Sequence, residues 1–398
     1  GLGTARFGVL TLAWMVVGYF SLFDLGLGRA LTKLVAEKLG AGKDEEIPGI
    51  VWIGMSLMSA LGVIGAVIIG CLSPWLVGGA LEIPRELQPE TLTAFYLLAV
   101  SIPVVISATG LRGVLEAHYR FGVVNAIRLP LGIFTFLGPL AVLPFSNSLS
   151  DIVLVLVLAR FISLLAYLIV CLVLYPDLRR RASLGREMAK RLLSFGGWMT
   201  VSNITGPLLL YLGRVFIITM LSAEAVAYFV TPYEVVAKLL VIPGVIVSVL
   251  FPAFSHSFQS GGSNIGALYK KSLRYIFAIM LPIVLLVYFY AQDGLAWWVN
   301  DEFSTNGFRV AQFLAIGVFI NSFGHISQAL VQGYGRPDLT AKLHLAELLI
   351  YIPYLWVLID QYGITGAAIA WTIRVTISTL ALSYLARRCI QGSLSVKY

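Results

Sequence analysis

Residues 152–174 read IVLVLVLARFISLLAYLIVCLVL, an apolar run in which one charged residue, Arg160, stands near the middle. A helix rises about 1.5 Å per residue, so a run of this length crosses the roughly 30 Å hydrocarbon core of a membrane. A charge at the bilayer centre is costly when it faces lipid. The stretch therefore predicts a membrane-spanning helix whose arginine faces protein or water.

The same pattern extends over the whole chain of 398 residues, of which 59% are hydrophobic and 12% are charged. The mean hydropathy of +0.88 is far above that of a soluble globular protein. We predict an all-α, polytopic membrane helix bundle that has no separate soluble domain. Its eleven expected membrane helices lie at about 7–31, 48–73, 91–114, 121–145, 150–175, 193–220, 225–254, 268–291, 306–332, 338–360 and 363–387.

Basic residues set the orientation, because cytoplasmic loops retain Lys and Arg. One set of alternate helix ends carries nearly all of them, including Arg112 and Arg336, whereas the other set carries only Arg6, Arg85 and Arg309. We therefore expect the first set of ends to be cytosolic. Gly1 would then lie outside, so a first helix preceding it is expected to be missing, which would make twelve.

The basic connector between Asp177 and Arg191 lies near the middle of the chain. We predict an N-terminal membrane half at 1–176, a cytoplasmic linker at 177–192 and a C-terminal half at 193–398. The last helix of each half carries one arginine at nearly the same offset, Arg160 and Arg374. Two six-helix halves related by a pseudo-two-fold axis along the membrane normal are typical of transporters.

The predicted helices contain more cations than acids. The acids are Asp24 and Glu234, or three at most if Glu347 is counted. Six cations facing lipid would cost on the order of 15 to 20 kcal/mol, so they are expected to line a central cavity that carries an anion. Arginine favours a phosphate or pyrophosphate as that anion. The cations are Arg29, Arg128, Arg160, Arg214, Lys238 and Arg374.

A structural interpretation of the same charges stays open. Asp24 could pair with Arg160 or Arg29, and Glu234 precedes Lys238 by four residues, the favoured order for an ion pair within one helix. Glycines and prolines, Gly26 and Gly28 among them, are interpreted as bending points. No motif predicts catalysis, a metal site or a nucleotide-binding loop, so we expect no cofactor and no nucleic-acid partner.

Residues 1–40 resemble the first conserved segment of bacterial polysaccharide and O-antigen flippases of the Wzx type. The motifs that carry the resemblance are Leu2-Gly3, Phe7-Gly8, Tyr19, Asp24-Leu25-Gly26-Leu27 and Arg29-Ala30. The family belongs to a superfamily that also holds multidrug extruders. The resemblance implies transport of an undecaprenyl-pyrophosphate-linked oligosaccharide from the inner to the outer leaflet of the bacterial inner membrane by alternating access.

The resemblance also implies partners and roles. The partners are the lipid-linked oligosaccharide, membrane lipids, and polysaccharide polymerase and chain-length regulator proteins. In this hypothesis Asp24 holds a cation of the cavity when no substrate is present, and Arg29 guards the cytosolic entrance. Gly26 and Gly28 soften the inner half of their helix.

Three alternatives compete with the flippase. An ion-coupled extruder of small molecules would share the fold but would favour acids in the membrane for cationic drugs. A membrane enzyme such as a polysaccharide polymerase or ligase would need a larger outer loop than the sequence contains. A purely structural assembly partner would leave the surplus of cations without a purpose.

Overall fold

The structure is a computed structural model that describes residues 25–80, 83–146, 148–179, 185–260 and 264–392. Within these ranges the secondary structure is helical, and nine helices are long and apolar enough to cross a membrane. The predicted all-α membrane bundle is therefore confirmed. The predicted helix count and pseudo-two-fold symmetry stay predictions, and Asp24 lies outside the described residues.

The chain forms two compact units, at 1–200 and 201–398. Helices of the first unit are α1 Leu27–Gly40, α2 Ile47–Trp75, α3 Gln88–Ala117, α4 Phe121–Val142, α5 Leu149–Leu174 and the start of α6 Arg186–Met220. The second unit contains the rest of α6 and the helices α7 Ala223–Lys238, α8 Val241–Gln259, α9 Ile265–Phe289, α10 Ala291–Trp298, α11 Asp301–Gly333 and α12 Pro337–Ile390.

Two breaks show how single residues divide the helices. The predicted helix 225–254 is divided into α7 and α8, and Pro243 lies directly after the break. Proline lacks an N–H and its ring clashes with the carbonyl four residues earlier, here that of Leu239, where α7 has just ended. In α12, Gly363 has φ 58° and ψ −138°, so the helix consists of two segments that meet where the two predicted helices meet.

The connectors are more helical than the sequence predicts. Helix α10 and the first turn of α11 lie within 291–306, which we expected to be a polar connector. The Asn300 side chain accepts a hydrogen bond from the backbone N–H of Phe303 and so caps α11. Helix α6 likewise begins at Arg186, inside the predicted linker 177–192. Charged and polar residues can extend a membrane helix beyond the hydrocarbon. Hydropathy alone does not predict these polar turns at the helix ends.

Helix α3 in the first unit and helix α11 in the second are the two spans with the largest buried share. Small residues allow neighbouring helices to approach α11 closely. A Cβ added at Gly317 would lie 2.5 Å from the ring of Trp371 on α12, so only glycine fits there. Close contact of this kind replaces the hydrophobic driving force that helices lack inside lipid.

The two glycines predicted as bending points behave differently. Gly26 precedes α1 with φ 69°, a left-handed conformation, and a Cβ there would lie 2.4 Å from the Cβ of Met199 and 2.8 Å from the carbonyl oxygen of Gly196. Gly28 lies inside regular helix, where its carbonyl accepts a hydrogen bond from the Thr32 hydroxyl. Of these two glycines, Gly26 is therefore the one with a non-helical backbone. Gating by either glycine stays a prediction.

We expect Gly26→Ala to lower the free energy of unfolding by about 2–5 kcal/mol, from left-handed backbone strain together with overpacking. Gly42→Ala is the matched control, because Gly42 also has a positive φ, 66°, but nothing lies within 4 Å of an added Cβ. That control should lose only about 1–2 kcal/mol. Thermal unfolding of both variants in detergent measures the difference, and equal losses would mean that the contact with Met199 is unimportant.

Candidate functional site

A cavity of about 250 Å³ lies among α3, α4 and α5 in the first unit. Each helix contributes side chains that repeat at intervals of three and four residues, so they share one helical face. Ala108 has a small side chain and Gly132 has none, so both leave space. The polar side chains that line it are Thr109, Arg112, Arg128, Thr135, Arg160, Ser163 and Tyr167.

The three arginines of this cavity lie at different depths in the membrane. In the predicted orientation, and counted from the expected cytosolic helix ends at about 1.5 Å per residue, Arg112 lies roughly 8 Å deep, Arg128 roughly 10 Å and Arg160 roughly 21 Å. Arg128 is exposed, whereas Arg112 and Arg160 are half-buried. The cavity thus presents positive charge from the inner leaflet to the membrane centre.

Glu116 is the acid associated with the inner part of this site. Its carboxylate pairs with Arg112 across 3.3 Å, one turn along α3. It also interacts electrostatically with Arg128 and with Arg29, which is exposed on α1. From the sequence, Arg112 was expected at a cytosolic helix end, and Glu116 was not predicted to belong to the site. The four-residue spacing of Arg112 and Glu116 on one helix was the signal that could have identified the pair.

Arg160 makes no ion pair within the described part of the chain. No described acid lines the cavity, whose neighbouring polar groups are the hydroxyls of Ser163 and Tyr167 and the other two arginines. Tyr167 is buried, and its hydroxyl lies 3.5 Å from the carbonyl oxygen of Val124. A guanidinium in this setting is available to an anion from outside the protein.

In the second unit, two of the three predicted cations form ion pairs. Arg214 on α6 donates to the Glu234 carboxylate on α7 at 2.7 Å. The alternative pairing of Glu234 with Lys238 is not the one observed. Lys238 is exposed at the end of α7 and makes no ion pair with a residue that the structure describes.

Arg374 lies on the second segment of α12, where it pairs with Glu347 across 3.5 Å. Its guanidinium also lies 5.7 Å from the ring centre of Tyr351. Tyr233 on α7 interacts electrostatically with both Arg374 and Arg214. The Tyr233 ring meets Trp371 edge to face at 6.0 Å. Two arginines of the second unit are thus joined through an aromatic cluster, which the sequence analysis did not identify.

The structure brings the six predicted cations together in part. Arg128 and Arg160 share one cavity, and Arg29 is linked to it through Glu116. Arg214 and Arg374 both interact with Tyr233. Among the described residues, Lys238 makes no ion pair that would connect it to either group. That all six line one central cavity stays a prediction.

The chain matches one described protein family and one described transport protein. Residues 1–258 match the family described as "Polysaccharide biosynthesis protein". A Shigella flexneri protein described as a "Putative O-antigen transporter" is 33% identical over 394 residues, 98% of this chain and 91% of that protein.

Solved structures of similar fold are membrane transporters. A Vibrio cholerae MATE transporter in its bent form matches with a TM-score of 0.85 at 16% identity, covering 98% of this chain and 90% of that one. A MOP superfamily transporter from Pyrococcus furiosus matches with a TM-score of 0.81 at 15% identity, covering 98% and 89%. At these identities the likeness shows the fold alone. The family match and the near full-length relative show that the chain belongs to the polysaccharide biosynthesis protein family.

Proposed function

We propose that the protein is a flippase that moves an anionic undecaprenyl-pyrophosphate-linked oligosaccharide across the bacterial inner membrane by alternating access. It serves the assembly of O-antigen, exopolysaccharide or capsule and is not an enzyme. Its membrane halves at 1–176 and 193–398 are joined by the linker at 177–192. A polysaccharide polymerase and a chain-length regulator are the protein partners that would receive and organise the product.

The observation that carries this proposal is the cavity with Arg112, Arg128 and Arg160 and no described acid in its lining. A guanidinium is planar and can donate two parallel hydrogen bonds to phosphate oxygens, and it stays charged at the membrane centre. Arginines at successive depths give a pyrophosphate a new partner before it leaves the previous one. Binding at several sites of moderate strength is what passage across a membrane requires.

In the second unit, the arginines that would bind the same substrate have carboxylate partners and lie beside aromatic rings. Arg214 and Arg374 each have a carboxylate partner, so an anion that enters must compete with Glu234 or Glu347. Tyr233 and Trp371 offer aromatic faces, which are suited to the apolar faces of sugar rings. We propose that Arg214, Lys238 and Arg374 bind the substrate here and that Glu234 acts as their ion-pairing gate.

In the first unit, we propose that Asp24 has the same gating role for the cations. Arg29 lies at the cytosolic entrance in this proposal, and Gly26 and Gly28 are gating glycines.

The test is transport by the purified protein in liposomes. A fluorescent undecaprenyl-pyrophosphate oligosaccharide is placed in the membrane, and its appearance in the opposite leaflet is followed with a membrane-impermeant quencher. We expect movement that depends on the protein and that the same lipid with a neutral headgroup does not show. Movement of a cationic dye in place of the lipid would instead support an ion-coupled multidrug extruder and would contradict the flippase.

A further inference from the structure

A second cavity, of about 380 Å³, lies in the second unit among α9, α11 and the second segment of α12. Arg309 lies about 12 Å along α11 from its start, and Tyr362 directly precedes the break at Gly363. The predicted orientation places these helix ends at the outer surface of the membrane. In that orientation the cavity therefore belongs to the outer leaflet.

The lining changes from polar to apolar in one direction along both helices. On α11 the order is Arg309, Gln312 and then Ile316, and on α12 it is Tyr362, Thr365 and then Ile369. Both helices run inward from the outer surface, so the polar residues lie at the headgroup level and the apolar residues lie deeper. A membrane phospholipid has the same order, with its phosphate outside and its acyl chains within.

The polar end of the cavity has unpaired positive charge. Arg309 is exposed and makes no ion pair with any described residue, and no described acid lines the cavity. The rings of Tyr288 and Tyr362 border the site, and Tyr362 is 58% exposed. Tyrosine at this level is typical of the membrane interface, where its ring contacts acyl chains and its hydroxyl contacts headgroups.

The apolar end continues along the outside of α12. Ile373, Ile377 and Leu380 follow Ile369 at intervals of four and three residues and have 39%, 49% and 65% of their surface exposed. The intervals place them on one helical face below the cavity. An acyl chain that leaves the cavity would lie along this face.

We propose that this cavity binds an anionic glycerophospholipid of the outer leaflet, with Arg309 holding its phosphate and the tyrosines flanking the headgroup. The cavity fixes the second unit to the surrounding membrane. The proposal is independent of which substrate the protein transports, because it involves none of the six cations assigned to the substrate.

Native mass spectrometry of the full chain, released from equal mixtures of phosphatidylglycerol and phosphatidylcholine with the same acyl chains, tests the proposal. We expect phosphatidylglycerol to be retained preferentially and Arg309→Gln to reduce this preference about tenfold, as for a lost hydrogen bond between charged groups. Arg85→Gln is the matched control, since Arg85 is also an exposed arginine on the predicted outer side but does not line this cavity. That control should keep the preference.

A second variant tests the cavity itself. Thr365→Trp fills the space and leaves Arg309 in place, so it should also reduce retention of phosphatidylglycerol. Equal retention by the wild type, Arg309→Gln and Thr365→Trp would overturn the proposal. Competition by millimolar inorganic phosphate would overturn it as well, because that result would show a simple anion site that needs no acyl chain.

Discussion

Arg160→Gln lowers the rate of lipid-linked oligosaccharide transport about tenfold to hundredfold and leaves the protein at least as stable as before. The loss of rate follows from the removal of a charged hydrogen-bond donor, worth about 1.5–3 kcal/mol, from the middle of the cavity. Stability is preserved for two reasons. The Arg160 charge is itself unfavourable inside the membrane, and its removal breaks no described ion pair. The liposome transport assay and thermal unfolding in detergent measure the two quantities.

Two further variants make this prediction specific. Arg160→Lys should keep part of the activity, because it preserves the charge but not the two parallel hydrogen bonds of a guanidinium. Arg179→Gln should transport like the wild type, since Arg179 is exposed outside the membrane-spanning helices of the same unit. Unchanged transport by Arg160→Gln would remove the main support for the arginine cavity as the substrate site.

Asp338→Asn destabilises the protein by about 3–5 kcal/mol, the usual loss when one partner of a buried ion pair is removed. The Asp338 side chain is 2% exposed and accepts two hydrogen bonds from Arg336, from Nε at 2.8 Å and from a terminal nitrogen at 3.0 Å. Lys342 lies 3.6 Å away on the next turn. The substitution leaves the Arg336 charge buried without its carboxylate, and the thermal unfolding midpoint should fall accordingly.

Asp293→Asn is the control for the loss of a carboxylate, because Asp293 is exposed and has no described ion pair. Its effect should stay within about 0.5 kcal/mol. The double variant Arg336→Gln with Asp338→Asn should recover part of the lost stability, since it removes the buried charge together with the carboxylate that pairs with it. If the two losses of unfolding free energy simply add in the double variant, the two residues act separately.

The sequence predicted those features that depend on a single helix. Arg160 could be recognised because it interrupts an apolar run, and the break at Gly363 lies where one predicted helix ends and the next begins. Prolines were interpreted as bending points, and Pro243 does follow a break, although the helix that contains it was predicted as continuous. In each case the cause is local, either the cost of a charge in lipid or the backbone chemistry of one residue.

The sequence did not predict features that depend on several helices. Arg112 was assigned to a helix end, yet its side chain lines the cavity with Arg128 and Arg160. Tyr233 and Trp371 lie in stretches as apolar as those around aromatic residues that face lipid. The sequence therefore could not show that these two rings contact each other. Arg309 indicated the outer side of the membrane, but the cavity around it is formed only when α9, α11 and α12 pack together.

The pairing of Glu116 with Arg112 has a consequence for the energy source of transport. One carboxylate next to three cavity arginines leaves the empty site positively charged, whereas a bound pyrophosphate would neutralise it. In a cell whose interior is electrically negative, the return of the empty, positive site toward the cytosol is favoured, and the outward movement of the neutral complex is not opposed. Each charge that crosses the full membrane gains about 2.3 kcal/mol per 100 mV, so we expect the rate of transport to rise with an inside-negative membrane potential.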